Sequence, residues 1–339
     1  MGQTVFVGLS GGVDSAVSAA LLKSEGYNVI GAFIKIWRPE FIDCPWQEDR
    51  LDAMRVCASL QIPFKEIDLS EEYKTTVIDD MVANYARGIT PNPDVLCNRN
   101  IKFGAFASWA RENGADFVAT GHYARNIGAS LYRGVDSNKD QSYFLWQLTK
   151  ADLERVLFPV GGLAKPEVRA HAERLNLPVA RKKDSQGLCF VGDVTMRDFL
   201  AHYVPLEKGT VLDEKGSVIG EHDGAALYTL GERHGFRVTT RSAHNDPHYV
   251  IGIDTNANTI TVSPDRTKAS RKKVTLIDTN WLHTPQGELQ AQTRYRETPV
   301  ACTVSGATVT FMEPHFAPPG QSLVVYDGDK LVGGGIIAP

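Results

Sequence analysis

The first half of the chain alternates short apolar runs with amphipathic stretches. The runs are rich in Val, Ile and Phe, which is typical of strands buried on both faces of a sheet. Between them, apolar residues recur at helical spacing, as in Val13, Val17 and Leu21. The runs are Thr4–Leu9, Asn28–Trp37, Ile62–Asp68 and Phe117–Thr120. This alternation predicts an α/β fold with a doubly wound parallel sheet, whose ligands collect at the carboxyl ends of its strands.

Beyond about Pro205 the pattern changes to short alternating runs punctuated by Gly, Asp and Thr. Tyr249–Asp254 and Thr259–Val262 flank a turn sequence and predict a hairpin. The basic stretch Lys268–Lys273 is expected to be an exposed joint. The runs after it predict a small antiparallel barrel, and they are Val300–Val304, Ala307–Phe311 and Leu323–Tyr326. We therefore predict an α/β domain over 1–205, a small β-rich central domain over 206–270 and a C-terminal β-barrel over 271–339.

Composition and charge limit the classes of protein that fit. The chain has 339 residues, with 36 Lys plus Arg against 40 Asp plus Glu, which gives a formal net charge of −4. This charge excludes a uniformly basic surface but allows a local basic face. No apolar run approaches the roughly 18 residues that span a bilayer, and Met1–Gly12 lacks the features of a secretion signal. We expect a soluble, cytoplasmic protein with no membrane partner. Five scattered cysteines form no C-x-x-C pair, so we expect no metal site.

A glycine-rich turn follows the first predicted strand and opens the first predicted helix. It reads Ser10-Gly11-Gly12-Val13-Asp14-Ser15. Two glycines allow a sharp turn and close approach of a ligand, and the amides at a helix start bind anions. The alternative is a plain turn in which Asp14 or Ser15 caps the helix. Because no Gly-Lys-Ser/Thr follows, the turn is not a Walker loop. It resembles the pyrophosphate loop of the N-type ATP pyrophosphatases, which split ATP between the α and β phosphates to adenylate a substrate.

Two of the five cysteines lie in polar, cationic surroundings. Cys97 follows a proline-broken loop and has Arg99 and Lys102 nearby, and Cys189 follows the basic run Arg181–Lys183. Such neighbours favour a thiolate, although both could be incidental loop thiols. We expect neither to lie in an apolar core. Three other cysteines are separate from this pair: Cys57 and Cys302 fall in helix and strand patterns and are interpreted as small hydrophobic residues, and Cys44 is left undecided.

Together these motifs resemble the tRNA-specific 2-thiouridylase family. The segments Asn92–Asn98 and Lys182–Gly192 are similar to the two cysteine signatures of that family. Further matches extend along the chain and are Thr120–Ala124, Asp136–Leu145, Lys165–Arg169, Tyr228–Arg233, Thr293–Arg296, Pro319–Ser322 and Gly333–Ile337. Four residues depart from the common family pattern: Ala16, Gln186, Leu188 and His248. The joint occurrence of the matching motifs is more specific than any single motif.

The resemblance implies a fold, a reaction and a set of site residues. The fold is the adenine-nucleotide alpha-hydrolase type, with residues 1–205 catalytic and 271–339 contacting tRNA. The reaction adenylates the C2 oxygen of a wobble uridine with ATP, and a cysteine persulfide then supplies sulfur, giving 2-thiouridine, AMP and pyrophosphate. Cys189 would carry the persulfide, Cys97 would be the second nucleophile and Asp94 the acid or base. The nucleotide residues would be Gly8, Leu9, Ser10, Gly11, Gly12, Val13, Asp14, Ser15, Ile34 and Gly121, with Mg²⁺ accompanying ATP.

The same resemblance implies contacts with the tRNA. Asn92, Pro93 and Asp94 would face the target base. Other contacts would come from His122, Lys139, Asp140, Gln141, Arg294, Tyr295 and Gln321. For His122, a backbone-bonded structural role is an equal alternative, and Lys139–Gln141 fits a solvated turn. The basic run Arg266–Lys273 is expected to meet RNA or to be a solvated linker.

The predicted function requires a second partner and has two alternatives. Besides tRNA, the resemblance implies a sulfur donor, either a cysteine desulfurase or a sulfur-relay protein. One rival is another adenylating ATP pyrophosphatase, a ligase or amidotransferase. A second is a tRNA-binding module without turnover.

Overall fold

The computed structural model describes residues 2–41, 46–184, 194–204, 206–239 and 247–339. The chain forms two compact units, each built from separate segments. The first comprises Met1–Val77, Asp94–Asp193 and Tyr326–Gly333. The second comprises Ile78–Pro93, Val194–Val325 and Gly334–Pro339. Among the described residues, no helix is both long and apolar enough to cross a membrane.

A five-stranded parallel sheet organises the first unit. The strands of this unit are β1 (Thr4–Gly8), β2 (Asn28–Lys35), β3 (Phe64–Asp68), β4 (Phe117–Ala119), β5 (Ala124–Ile127), β6 (Ser130–Arg133) and β7 (Val156–Leu157). The sheet has the order β3-β2-β1-β4-β7, and each neighbouring pair is parallel. Strands β5 and β6 form a separate antiparallel hairpin. The predicted parallel sheet is therefore confirmed, and each predicted run contains one of its strands.

Helices alternate with the strands, as the apolar spacing predicts. The α-helices are Val13–Ser24, Trp46–Leu60, Ser70–Tyr73, Asp79–Ala86, Pro93–Leu96, Phe106–Glu112, Lys150–Leu153, Lys165–Arg174 and Met196–Leu200. Two π-helices cover Lys74–Ile78 and Cys97–Ala105, and three 3-10 turns cover Ser142–Leu145, Ala225–Leu227 and Arg266–Ala269. Val13 and Val17 are buried in one apolar cluster with Val168 and Ala172. The helices Val13–Ser24 and Lys165–Arg174 thus share a core, and an ion pair of 2.7 Å between Asp14 and Lys165 joins their first turns.

The middle of the second unit is a five-stranded half-barrel. Its strands are β8 (Gly209–Leu212), β9 (Val218–His222), β10 (Phe236–Val238), β11 (Tyr249–Asp254) and β12 (Thr259–Ser263). They are arranged in the order β10-β9-β8-β12-β11. The predicted hairpin is confirmed, because β11 and β12 pair antiparallel. Strands β8 and β12 pair in parallel, and Val211, Val250 and Ile260 form the core beside Tyr228.

The last part of the chain forms a closed six-stranded barrel. Its strands are β13 (Ser270–Trp281), β14 (Leu289–Gln292), β15 (Val300–Ser305), β16 (Thr308–Phe316), β17 (Ser322–Asp327) and β18 (Lys330–Ile337). They follow the order β13-β16-β15-β14-β17-β18, and pairing of β13 with β18 closes the ring. The predicted barrel is confirmed. Within the first unit, Lys330 of β18 pairs with Tyr132 of β6.

The basic stretch Lys268–Lys273 is mostly exposed, as predicted, and has regular structure. Lys268 lies in the 3-10 turn Arg266–Ala269, and β13 begins at Ser270. Arg271 pairs with His315, and Lys273 pairs with Thr310. The basic side chains 271–273 are nevertheless exposed, as expected. Charge alone identified their exposure but not their strand.

Candidate nucleotide site and its surroundings

The turn from β1 into the helix Val13–Ser24 is shaped by glycine. Gly11 has a φ of 72°, and a Cβ atom there would lie 2.4 Å from the Asp49 carbonyl oxygen. Gly12 precedes the helix in an extended conformation, and its helix start has no side-chain cap. Because the first N–H groups of a helix lack acceptors within it, this turn presents several donors to an anion. We call Gly8–Ser15 the glycine cradle.

Neighbouring residues pack tightly on the glycine cradle. A Cβ atom at Gly121, just beyond β4, would lie 2.7 Å from the Ser15 nitrogen. The Ser15 hydroxyl donates to the Gly12 carbonyl at 3.2 Å and accepts from the Ser10 nitrogen at 3.2 Å. The Ile34 Cδ1 atom lies 3.8 Å from the Cβ position of Gly8. The structure thus brings Ile34 and Gly121 to this turn, although they are far apart in sequence.

Asp14, in the first helical turn, begins a network of charged side chains. The Tyr123 hydroxyl donates to Asp14 Oδ1 at 2.8 Å, and Lys165 Nζ donates to the same oxygen at 2.7 Å. Lys165 also reaches Asp184 Oδ1 at 2.8 Å. Lys139 and Arg169 each bond Asp184 at 2.6 Å. Burial disfavours the charged form of Asp184, but the hydrogen bonds from Lys139 and Lys165 outweigh it and lower its pKa to about 2.

A second group of charges adjoins the helix Trp46–Leu60. Lys182 Nζ bonds Asp49 at 2.8 Å and Asp52 at 2.6 Å. Burial lowers the pKa of Lys182, whereas these two carboxylates raise it and prevail. No individual role was predicted for Lys165, Arg169, Lys182 or Asp184. The only signal was their membership of two family motifs, because their partners are distant in sequence.

Cys97 begins the π-helix Cys97–Ala105 directly after the helical turn Pro93–Leu96. Its side chain is buried, with 5% of the residue exposed. The thiol is thus shielded from water, and the predicted polar, cationic surroundings of Cys97 stay a prediction. The adjacent Asn98 is also buried and donates to the Phe144 carbonyl at 3.0 Å, whereas Arg99 is exposed. The helical geometry turns the thiol inward and leaves the cation at the surface.

The other cysteines separate into two groups. Cys57 and Cys302 are buried, and burial raises the pKa of each thiol to about 11, so both are small core residues as predicted. Cys44 and Cys189 lie outside the described residues. The predicted meeting of Cys97 and Cys189 therefore stays a prediction.

Asp94 and His122 are both perturbed by burial. Burial raises the pKa of the Asp94 carboxyl, and the charge of Lys102 partly opposes this. Burial and Lys102 together hold the pKa of His122 well below 6.5. His122 Nδ1 lies 2.7 Å from Thr120 Oγ1, and its ring packs against Phe103 and Phe158. His122 is therefore a neutral imidazole near pH 7, with a side-chain partner rather than the expected backbone one.

The segment Lys139–Gln141 is held by the first unit itself. Lys139 pairs with Asp184, and the Gln141 Oε1 accepts from the Tyr123 nitrogen at 3.0 Å. Asp140 is buried and bonds Arg133 at 3.2 Å and both the nitrogen and hydroxyl of Ser142. A solvated turn, the alternative for this segment, does not describe it. Asp140 acts as a structural centre of the turn, which orients its two neighbours.

In the second unit, Gln321 holds the loop that precedes Asn92 and Pro93. Its Nε2 donates to the Thr90 carbonyl at 2.8 Å and the Pro91 carbonyl at 3.4 Å. Thr90 Oγ1 also lies 2.9 Å from Thr229 Oγ1. Thr229 belongs to a motif for which no role was predicted. Gln321 and Thr229 thus fix the backbone on which Asn92 and Pro93 are carried.

Arg294 and Tyr295 occupy a compact turn of the barrel. Glu297 Oε2 accepts from the Thr293 nitrogen at 3.0 Å, the Thr293 hydroxyl at 2.8 Å and the Arg294 nitrogen at 3.1 Å. The Arg294 guanidinium lies 4.3 Å from the centre of the Phe316 ring. One carboxylate therefore organises the backbone that presents both side chains.

The described residues contain no group of three or more His, Cys, Asp or Glu side chains placed to hold a metal ion.

Family models match the chain in three consecutive parts. Residues 3–193 match a "tRNA methyl transferase HUP domain", 197–264 a "tRNA methyl transferase PRC-barrel domain" and 271–337 an "Aminomethyltransferase beta-barrel domain". Among solved structures, the chain is similar to the U34-tRNA thiolase NcsA from Methanococcus maripaludis, with 21% identity and a TM-score of 0.38. That match covers 55% of this chain and 60% of the other.

Curated relatives match nearly the whole chain. The tRNA-specific 2-thiouridylase MnmA of Enterococcus faecalis is 43% identical, with 98% of this chain and 94% of the relative covered. The protein of the same name from Ralstonia nicotianae is 44% identical, with 99% and 96% covered. The chain belongs to the tRNA-specific 2-thiouridylase (MnmA) family.

Proposed function

We propose that the protein makes 2-thiouridine in tRNA. The ATP-dependent reaction adenylates the C2 oxygen of the wobble uridine and then replaces that oxygen with sulfur from a cysteine persulfide. One observation carries the proposal: the glycine cradle, with Gly121 packed against it, lies in the same compact unit as Cys97 and Asp94. An anion site and a thiol are the two elements that this chemistry needs. Family membership supports the choice of tRNA as substrate.

The glycine cradle fits the phosphates of ATP. A Cβ atom is sterically excluded at Gly11 and Gly121, so the backbone can approach a phosphate closely. Gly8, Leu9, Ser10, Gly11, Gly12, Val13, Asp14 and Ser15 would surround the phosphates, and Ile34 and Gly121 would line the adenosine. Mg²⁺ would arrive with ATP. Attack by the uridine O2 on the α-phosphorus forms an adenylated uridine and expels pyrophosphate.

The sulfur step needs two cysteines and conserves electrons. The Cys97 thiolate attacks the inner sulfur of the Cys189 persulfide, which forms a Cys97–Cys189 disulfide and releases the terminal sulfur as hydrosulfide. Hydrosulfide adds to C2 of the adenylated uridine, and AMP leaves with the former C2 oxygen. An external thiol then reduces the disulfide. Asp94, whose pKa is raised by burial, would hold or release the proton in this sequence.

Binding of tRNA would involve residues on both units. A wobble base must leave its stack to reach a buried thiol, and Asn92, Pro93 and Asp94 would receive it. His122, Lys139, Asp140, Gln141, Arg294, Tyr295 and Gln321 would bind the surrounding RNA. A cysteine desulfurase or a relay protein would load the persulfide, and the cytoplasm holds both tRNA and such donors. We also propose the division at about 205 and 270 into catalytic, central and tRNA-contacting domains.

The experiment incubates the full chain with tRNA, ATP and a persulfide donor and measures 2-thiouridine by mass spectrometry of nucleosides. Pyrophosphate release should require tRNA. Cys189→Ser should abolish thiouridine but retain tRNA binding, whereas Cys302→Ser, a matched change of a buried barrel thiol, should retain both. Fast pyrophosphate release with glutamine or an amino acid instead of tRNA would point to a ligase or amidotransferase. Binding of tRNA with no turnover by the wild type would indicate a binding module.

A further inference from the structure

Lys165 lies beside the first turn of the helix that follows the glycine cradle. Its Nζ bonds Asp14 Oδ1 at 2.7 Å and Asp184 Oδ1 at 2.8 Å. Only 13% of the side chain is exposed. An ammonium group has three N–H donors, and these carboxylates use two of them. Among the described residues Lys165 Nζ has no third oxygen or nitrogen acceptor, and its remaining neighbour there is the Tyr123 ring, whose centre lies 5.9 Å away.

The hydrogen-bond donors around Lys165 favour an anion as its external ligand. Asp14 alone would repel a phosphate from the helix start, and Lys165 neutralises it. The ion pairs connect two carboxylates, Asp14 and Asp184, with three cations, Lys139, Lys165 and Arg169. A third carboxylate, Asp136, accepts from the Lys165 backbone nitrogen at 3.0 Å, so the whole group is formally neutral. A helix N-terminus adds a partial positive charge at the same place. The features that can bind an anion here are therefore the Lys165 ammonium and the N–H groups of the helix start.

The position of the ammonium is fixed before any ligand binds. Asp14 is itself held by the Tyr123 hydroxyl at 2.8 Å, and Asp184 is held by Arg169 at 2.6 Å. A lysine on a solvated surface would lose side-chain entropy on binding, but this one is already ordered. Groups that need no reorganisation stabilise charge most effectively.

We propose that Lys165 is a phosphate-binding residue of the nucleotide site, with its third N–H donating to a phosphate oxygen of the nucleotide held by the glycine cradle. Asp14, Tyr123 and Asp184 are its positioning residues. The inference rests on the proposed function for the identity of the nucleotide, ATP. It adds a side-chain phosphate ligand to a site otherwise made of backbone.

The test compares binding of ATP with binding of adenosine, which has no phosphate, in the absence of tRNA. Equilibrium dialysis of the full chain would be done for the wild type, Lys165→Met, Lys165→Arg and the control Lys150→Met, which changes an exposed lysine of the same unit. Lys165→Met should weaken ATP binding by about 10- to 100-fold, the effect of losing a charged hydrogen bond, and leave adenosine binding within about twofold. Lys150→Met should change neither. Lys165→Arg keeps the charge and should lose less.

Several outcomes would overturn the inference. Equal weakening of ATP and adenosine would assign Lys165 a purely structural role, and no weakening would exclude it from the site. If Lys165→Met does not fold, Lys165→Arg decides: ATP binding that weakens relative to adenosine supports the proposal, and an unchanged ratio refutes it. If Lys165→Met weakens ATP binding as expected but the wild type makes no 2-thiouridine, the proposed function is refuted and the inference is retained. A wild type that binds no ATP would refute both.

Discussion

The glycine cradle of the first unit and the Arg294–Tyr295 turn of the second are organised in opposite ways. In the glycine cradle the backbone forms the surface, and contacts of 2.4 Å and 2.7 Å exclude a Cβ atom at Gly11 and Gly121. In the barrel turn, side chains form the surface, and one carboxylate, Glu297, orders it through three hydrogen bonds. A site made of backbone tolerates almost no change at its glycines. A site made of side chains should weaken gradually when one of them is changed.

Gly11→Ala should have the largest effect. The new methyl group would meet the Asp49 backbone, and the residue would keep a φ of 72° that disfavours a side chain. We expect a loss of about 2–4 kcal/mol in the free energy of unfolding, together with loss of ATP binding. Gly26→Ala is the matched control: its φ is 90° but nothing lies within 4 Å of the new atom, so only about 1–2 kcal/mol should be lost. Denaturant unfolding would measure the free energy of unfolding of both variants. Equal losses would show that the steric contact at Gly11 does not contribute.

The charged network next to the glycine cradle should produce a smaller, pH-dependent effect. The pKa of Asp184 is about 2 in the folded chain and near 3.8 when unperturbed. Because the folded pKa is lowered, its contribution is complete above about pH 4 and disappears as the pH falls toward 2. The contribution is about 2 kcal/mol at neutral pH. Asp184→Asn should remove this part of the pH dependence of unfolding, and an unchanged acid profile would contradict the ion-pair assignment.

The barrel turn should give the smallest change. Glu297→Ala removes the acceptor shared by the Thr293 hydroxyl and two backbone N–H groups, so Arg294 and Tyr295 lose their fixed presentation. We expect tRNA affinity to fall about tenfold, since roughly 1.4 kcal/mol of ordering is lost, while ATP binding stays unchanged. Glu313→Ala, an exposed carboxylate of the same barrel, should leave tRNA affinity as it is. Filter binding with labelled tRNA would compare the affinities of the two variants. Equal affinities would show that Glu297 has no part in RNA binding.

Local patterns predicted much of the fold. The parallel sheet, the hairpin of β11 with β12 and the C-terminal barrel follow from apolar periodicity and turn residues, which act over a few positions. The parallel pairing of β8 with β12 was not predictable, because it joins strands separated by other elements. The burial of Cys97 was not predictable for a related reason. Its neighbours in sequence are polar, but a helical turn places Cys97 and Asn98 inside and Arg99 outside.

The candidate site was predictable only where its residues adjoin. Ser10–Ser15 form one continuous motif, whereas Asp184 meets Lys139, Lys165 and Arg169 through the tertiary fold. No periodicity connects those positions. The resemblance indicated that their segments matter, and the structure shows which charges pair.

Tyr326 has a consequence for how the chain is made. It is fully buried in the first unit, where its hydroxyl lies 3.1 Å from Ser142 Oγ and the Arg133 guanidinium lies 3.5 Å from its ring centre. A ribosome synthesises this tyrosine long after the parallel sheet has emerged. Until residue 326 is synthesised, Ser142 and Arg133 therefore lack the tyrosine that packs against them. A fragment that ends near residue 205 would lack these contacts permanently.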